Sequence, residues 1–116
     1  MKIKCFEELI AWQKSQELAV DIYKQFGTMK DYGFRDQICR AVVSKSNNIA
    51  EGFDRSSDAD FSRFLYFALG SCSEVKSMLY LSGKLKLQKA DEINPMIEKV
   101  NEISKIIRGL IKSISN

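Results

Sequence analysis

The residue types that could do chemistry in this sequence are carboxylates and thiols, because the 116-residue chain contains no histidine. It therefore offers no Cys-His or Ser-His pair, no histidine-ligated zinc and no histidine general base. Cys5, Cys39 and Cys72 lie far apart in no metal-ligand spacing, which predicts reduced thiols in a cytoplasmic protein. A metal held by Glu51 and Glu74 is a weak alternative, since di-metal helical bundles use Glu-x-x-His pairs. We expect no enzyme activity, cofactor, metal site or small-molecule substrate.

A row of polar residues at helical spacing is the second notable feature. Intervals of three and four residues place its members on one side of a helix. The row consists of Gln37, Arg40, Ser44, Asn48, Glu51 and Arg55. By geometry alone it is either a solvated face or a polar seam buried against another helix or subunit. Within it, Asp36 with Arg40 and Glu51 with Arg55 are predicted i,i+4 ion pairs.

Basic residues that could contact a nucleic acid surround the same segment. They are Arg40, Lys45, Arg55 and Arg63, with Phe61, Tyr66 and Tyr80 as possible stacking groups. The net charge is +3 and the isoelectric point is near 8.8, which is below the range of dedicated nucleic-acid domains. One copy offers few phosphate contacts, whereas an oligomer would multiply them.

The elements that must position these residues are helices, because apolar residues recur at helical spacing and no stretch alternates with period two. We predict one all-α domain over residues 1–116, an up-down-up-down antiparallel four-helix bundle. The first predicted helix runs from Phe6 to Phe26. The second opens at a cap formed by Thr28 and Asp31 and ends near residue 54.

The third predicted helix begins at a Ser57 cap and continues to about Gly83. The start of the fourth is ambiguous. Asn94 could be the N-cap of a helix whose first residue is Pro95. Alternatively, the helix could start near Gln88 and contain Pro95 as a kink, and we favour this second possibility. No apolar run approaches the length that spans a bilayer, so we expect no membrane association.

Three further residues stand out as packing or interface anchors. Gly70 lies among small residues in the middle of the third helix, where it either lets a neighbouring backbone approach closely or is merely tolerated. Trp12, the only tryptophan, is expected to be a core or interface anchor. Phe61 begins the apolar stripe of the third helix.

The string from Asn48 to Gly52, with residues downstream, resembles the bacterial four-helix-bundle proteins first noticed as reading frames in intervening sequences of large-subunit ribosomal RNA. The resemblance covers about residues 6–87. The matching residues are Phe6, Leu9, Trp12, Tyr23, Gln37, Arg40, Ala41, Asn48, Ile49, Ala50, Glu51, Gly52, Arg55, Phe61, Phe64, Leu65, Ala68, Gly70, Ser71 and Glu74.

The resemblance implies a homopentamer without enzymatic activity. The fold is also similar to the accessory protein of diversity-generating retroelements, a basic pentameric bundle that binds reverse transcriptase and nucleic acid. The family's polar signature maps onto Gln37, Arg40, Asn48, Glu51, Gly52, Arg55, Ser71 and Glu74. Such a signature favours a hydrogen-bonded seam, between the second and third helices or between subunits, over a solvated face.

Two departures from the family pattern concern charge. The family often has a second basic residue where this chain has Cys39, and an apolar residue followed by proline where it has Lys45 and Ser46. We therefore expect a non-enzymatic, homo-oligomeric scaffold or adaptor. Its partners would be copies of itself and either RNA, DNA or a nucleic-acid-associated protein. The alternative is an RNA- or DNA-binding module that uses the oligomer's summed basic surface.

Overall fold

Four long helices form the structure, a computed structural model that describes residues 3–115. A 3₁₀ turn at Phe6–Glu8 precedes α1 (Ile10–Phe26), α2 (Tyr32–Phe53), α3 (Asp58–Lys84) and α4 (Ala90–Ser115). Each helix packs against the next in the chain, and α4 closes the bundle against α1. The predicted all-α four-helix bundle is confirmed, and it measures 44 × 21 × 19 Å.

The first predicted helix is interrupted at Leu9, whose backbone is extended. The segment before it forms the 3₁₀ turn, and the Phe6 ring packs edge-on against Trp12 with the ring centroids 5.2 Å apart. The Gln13 side chain donates a hydrogen bond to the Glu7 carbonyl. The predicted continuous helix from Phe6 is therefore wrong, because the chain turns back to pack on the first turn of α1.

The helix ends follow capping chemistry. Asp31, rather than Thr28, is the N-cap of α2, and its carboxylate accepts a hydrogen bond from the Phe34 N–H at 3.2 Å. The predicted Ser57 cap of α3 is confirmed, since the Ser57 hydroxyl accepts from the Asp60 N–H at 3.2 Å. The favoured early start of α4 is also right, because Pro95 lies inside that helix.

In the connection from α3 to α4, a residue with a left-handed backbone conformation follows the third helix, and this residue is not glycine. Lys86 has φ 60°. Its N–H donates to the Gly83 carbonyl, and the Leu87 N–H donates to the Ser82 carbonyl. This is the hydrogen-bond pattern of a Schellman cap, in which glycine is usual at the left-handed position.

The core is apolar along its length and lies between the inner faces of all four helices. Its fully buried large side chains include Leu18, Ile22, Ile38, Leu65 and Ile107. Among the described helices, none combines the length and apolarity needed to cross a bilayer.

Candidate functional site

A row of hydrogen-bonded polar side chains crosses the contact between α2 and α3. The Gln37 amide donates to the Glu74 carboxylate at 3.3 Å. On α3, about one turn before Glu74, the Ser71 hydroxyl donates to the Ser44 hydroxyl of α2 at 3.4 Å, and the Asn48 amide donates to the same hydroxyl at 3.2 Å. The middle of the row is partly buried, at Ser44, Asn48 and Ser71, whereas its two ends are exposed, so the row is neither a buried seam nor a fully solvated face.

A concave groove of about 520 Å³ lies along this row. Its walls include Gln37, Arg40, Ser44 and Glu74, all of which belong to the polar row or to its partners on α3. We call this surface the α2–α3 groove. It is open to solvent along its length within the described part of the chain.

Arg40 lies exposed on one wall of the α2–α3 groove. The predicted ion pair with Asp36 is not formed, because the Asp36 carboxylate instead binds the neighbouring Arg35 guanidinium at 2.8 Å. Across residues 3–115, no carboxylate lies within 4 Å of the Arg40 guanidinium. Arg40 therefore makes no ion pair within the described residues.

Arg55 and Arg63 share one aromatic ring at the start of α3. Their guanidinium carbons lie 4.8 and 5.2 Å from the centroid of the Phe64 ring. Arg63 also lies 5.6 Å from the Phe67 ring and 3.7 Å from the Asp60 carboxylate. The predicted pair of Glu51 with Arg55 is absent from the described contacts, because the aromatic ring takes its place.

Gly52 explains one position of the polar signature by close packing. A Cβ atom added there would lie 2.5 Å from the Phe64 Cβ and 3.2 Å from the Phe61 Cδ1. Only a residue without a side chain lets α2 and α3 approach this closely. Phe61 is buried and packs edge-on against Phe53 with centroids 5.7 Å apart, so it anchors the same contact.

The other two predicted anchors differ in their surroundings. Trp12 is half-buried beside Phe6 and packs against the core. Gly70 is exposed, and a Cβ added there would meet no atom within 4 Å. Within the described residues, no backbone packs closely against position 70.

Lys45 is not on the surface, so its predicted role as a nucleic-acid contact is wrong. The residue is fully buried, and its ammonium has no hydrogen-bond partner among the described residues. Burial lowers the pKa of Lys45 from 10.5 to about 8, an effect that the neighbouring Cys72 thiol opposes. The cause is its place in the inward stripe of α2, between Val42 and Ile49.

A second groove, of about 250 Å³, lies between α3 and α4 and was not predicted. Three cations, Lys76, Lys105 and Arg108, line it together with the polar side chains of Ser73, Asn101 and Ser104. No carboxylate lines this α3–α4 groove. The spacing of Lys105 and Arg108 on one side of α4 was visible in the sequence, but the register that brings Lys76 to them was not.

Within residues 3–115, no three histidine, cysteine, aspartate or glutamate side chains are arranged to hold a metal ion. Cys39 is buried, and burial raises the pKa of its thiol, an effect that Arg35 partly opposes. A thiol with a raised pKa is a poor nucleophile at neutral pH.

Comparison with known protein families shows which family the chain belongs to. The family model described as 23S rRNA-intervening sequence protein matches residues 7–109. The chain belongs to this family. The match takes in all four helices and the polar row, and it extends the likeness seen in residues 6–87 into most of α4.

The crystal structure of a protein of unknown function from the S23 ribosomal protein family, from Bacteroides thetaiotaomicron, is similar in fold. The two superpose with a TM-score of 0.83 at 29% sequence identity, over 89% of this chain and 99% of the other. None of the curated proteins matches this chain significantly.

Proposed function

We propose that this member of the 23S rRNA-intervening sequence protein family is a non-enzymatic, homo-oligomeric scaffold or adaptor that assembles through the α2–α3 groove. The observation that carries the proposal is the half-exposed polar row beside uncovered apolar surface. Phe67 and Leu81 lie on the outer side of α3 and are 47% and 44% exposed. An aromatic ring next to fixed polar groups is typical of protein interfaces.

The polar groups of the groove are suited to a partner that carries the same groups. Neither the Arg40 guanidinium nor the Glu51 carboxylate makes an ion pair within 4 Å among the described contacts, although Asp36 and Glu74 also line the groove. A symmetric or cyclic arrangement of identical chains supplies the missing partner for each. Such pairs across an interface fix its register and exclude other partners.

Gly70 offers a position on α3 where another helix can approach closely. It lies between Phe67 and Glu74 on α3, and its surroundings are open. In mid-helix, glycine costs about 1 kcal/mol relative to alanine. Close approach of a helix from another copy offsets this cost, since no neighbour within the protomer does so. The number five comes from the family resemblance and is part of the proposal.

Light scattering on the purified protein tests this assembly. We expect a particle of about five times the 13.3 kDa chain mass at micromolar concentration. Gly70→Gln should lower the mass while circular dichroism still shows a folded helical protein. Gly109→Gln is the matched control, because Gly109 is also a helical glycine with no atom within 4 Å of an added Cβ.

Two results would contradict the proposal. One is a monomeric wild-type protein at micromolar concentration. The other is an oligomer whose mass is unchanged by Gly70→Gln, which would move the interface away from the outer side of α3.

A second candidate function is binding of RNA or DNA. The observation that favours it is the α3–α4 groove, which three cations line without any carboxylate. Of the four residues predicted to contact nucleic acid, Arg40, Arg55 and Arg63 are exposed, and Lys45 is buried. Arg63 is paired with Asp60, and Arg55 has the acidic residues Glu51 and Asp54 within four positions in the sequence, which weakens their attraction for phosphate.

A further inference from the structure

We propose that the α3–α4 groove binds the phosphate backbone of a single-stranded nucleic acid. This proposal rests on the second candidate function and assigns it a site. The groove is lined by Lys76, Lys105 and Arg108, none of which lies within 4 Å of a carboxylate in residues 3–115. Three unpaired cations around one concavity are an anion-binding arrangement.

Two acidic residues of the same two helices are engaged on other faces of the bundle. Glu74 on α3 accepts a hydrogen bond from Gln37 of α2. Glu102 on α4 is paired with Lys14 of α1 at 3.2 Å. No carboxylate lines the groove itself, although the whole chain carries only +3.

Neutral hydrogen-bonding groups lie between the cations. The hydroxyls of Ser73 and Ser104 and the amide of Asn101 line the groove, and no hydrogen bond within the described chain occupies them. Hydroxyl and amide donors next to lysine and arginine are common ligands of phosphate oxygens. The volume of about 250 Å³ equals roughly eight waters at about 30 Å³ each, enough for a phosphodiester group.

Tyr80 favours a single strand over a duplex. It follows Lys76 by one helical turn on α3, and its side chain is 53% exposed. One turn of helix is about 5.4 Å. Unpaired bases stack on exposed aromatic rings, whereas the bases of a duplex are already stacked on each other. A cationic groove beside an exposed ring is the usual arrangement for single-stranded binding.

Fluorescence anisotropy with a labelled 20-nucleotide oligouridine tests the site, using the full chain at 50 and 200 mM salt. We expect binding that weakens with salt. The double variant Lys105→Gln/Arg108→Gln should lower affinity at least tenfold and lower the salt slope by about 1.4, at about 0.7 per lost contact. Tyr80→Ala should weaken binding about tenfold. Both changes are on the surface, and circular dichroism checks the fold.

The matched control is the double variant Lys30→Gln/Arg63→Gln, which removes the same charge from exposed residues that line neither groove. Loss of binding in this control but not in the groove variant would overturn the groove and leave nucleic-acid binding intact. No binding of oligouridine at 50 mM salt would overturn both.

Duplex RNA and inorganic pyrophosphate complete the test. Tighter binding of a 20-base-pair duplex than of oligouridine would overturn the assignment to a single strand. Pyrophosphate that shifts the amide resonances of the groove in NMR spectra, with no oligouridine binding, would identify a site for free oxyanions and overturn the proposal.

Discussion

Replacing Lys45 by methionine should make the protein more stable. At pH 7 the buried ammonium has no hydrogen-bond partner, and its pKa of about 8 compares with an ordinary value of 10.5. This difference corresponds to about 3 kcal/mol of free energy of unfolding. Methionine has a similar shape and buries no polar atom, so Lys45→Met should recover most of that free energy and raise the Tm by about 10 °C.

The effect of Lys45 on the free energy of unfolding depends on pH. The folded-state pKa lies below the unfolded value, so between pH 8 and 10.5 the unfolded state binds more protons. The wild-type free energy of unfolding should therefore rise across this window as the lysine penalty is lost. Below pH 8 the penalty is fully present. The advantage of Lys45→Met should shrink accordingly and approach zero near pH 10.5.

Urea denaturation followed by circular dichroism, at one protein concentration and at pH 7, 8.5 and 10, measures this difference. Lys30→Met is the control, because Lys30 is exposed in the α1–α2 connection and its change should stay within about 0.5 kcal/mol. The reasoning is refuted if Lys45→Met is less stable than the wild type at pH 7. An advantage that does not change from pH 7 to 10 would show that charge burial is not its cause.

Three other substitutions test local packing by the same denaturation assay. Gly52→Ala should destabilise by about 1–3 kcal/mol, because its Cβ would lie 2.5 Å from the Phe64 Cβ, and unchanged stability would mean that the two helices separate at no cost. Lys86→Gly should stabilise by up to about 1 kcal/mol, since Lys86 has φ 60°, and a loss would show that its side chain makes a compensating contact. Ser57→Ala should cost about 1 kcal/mol through the lost cap of α3, and no cost would contradict the cap.

The four-helix architecture was predictable because apolar spacing and helix caps indicated it, whereas Pro95 left the start of the fourth helix ambiguous. The interruption at Leu9 was not, since it depends on the Phe6 ring packing against Trp12 after the chain turns. Local propensity favours a continuous helix there, and a tertiary contact overrides it.

Lys45 was misplaced for a different reason. It follows Ile38 and Val42 and precedes Ile49 at helical spacing, so periodicity assigns it to the core. The residue type suggested the surface, because lysine is rarely buried without a partner. The family's apolar residue at this position was the signal for burial. The position of Lys45 in the apolar stripe, rather than its charge, therefore determines that it is buried.

The site was predictable in part. The spacing of Gln37, Ser44 and Asn48 placed them on one side of α2, and their hydrogen bonds to each other and to α3 agree with that placement. The α3–α4 groove depends on how Lys76 of α3 meets Arg108 of α4. Sequence spacing within a helix does not give the register between helices.

The placement of the three cysteines gives this protein internal probes of its own motions. Cys39 in α2 and Cys72 in α3 are buried, whereas Cys5 is only partly so. A thiol reagent reaches a buried cysteine only when the surrounding helices open, and its rate then reports the free energy of that opening. With Cys5 replaced by serine, the rates at the remaining two thiols would report the opening of the bundle around α2 and around α3 without any added label.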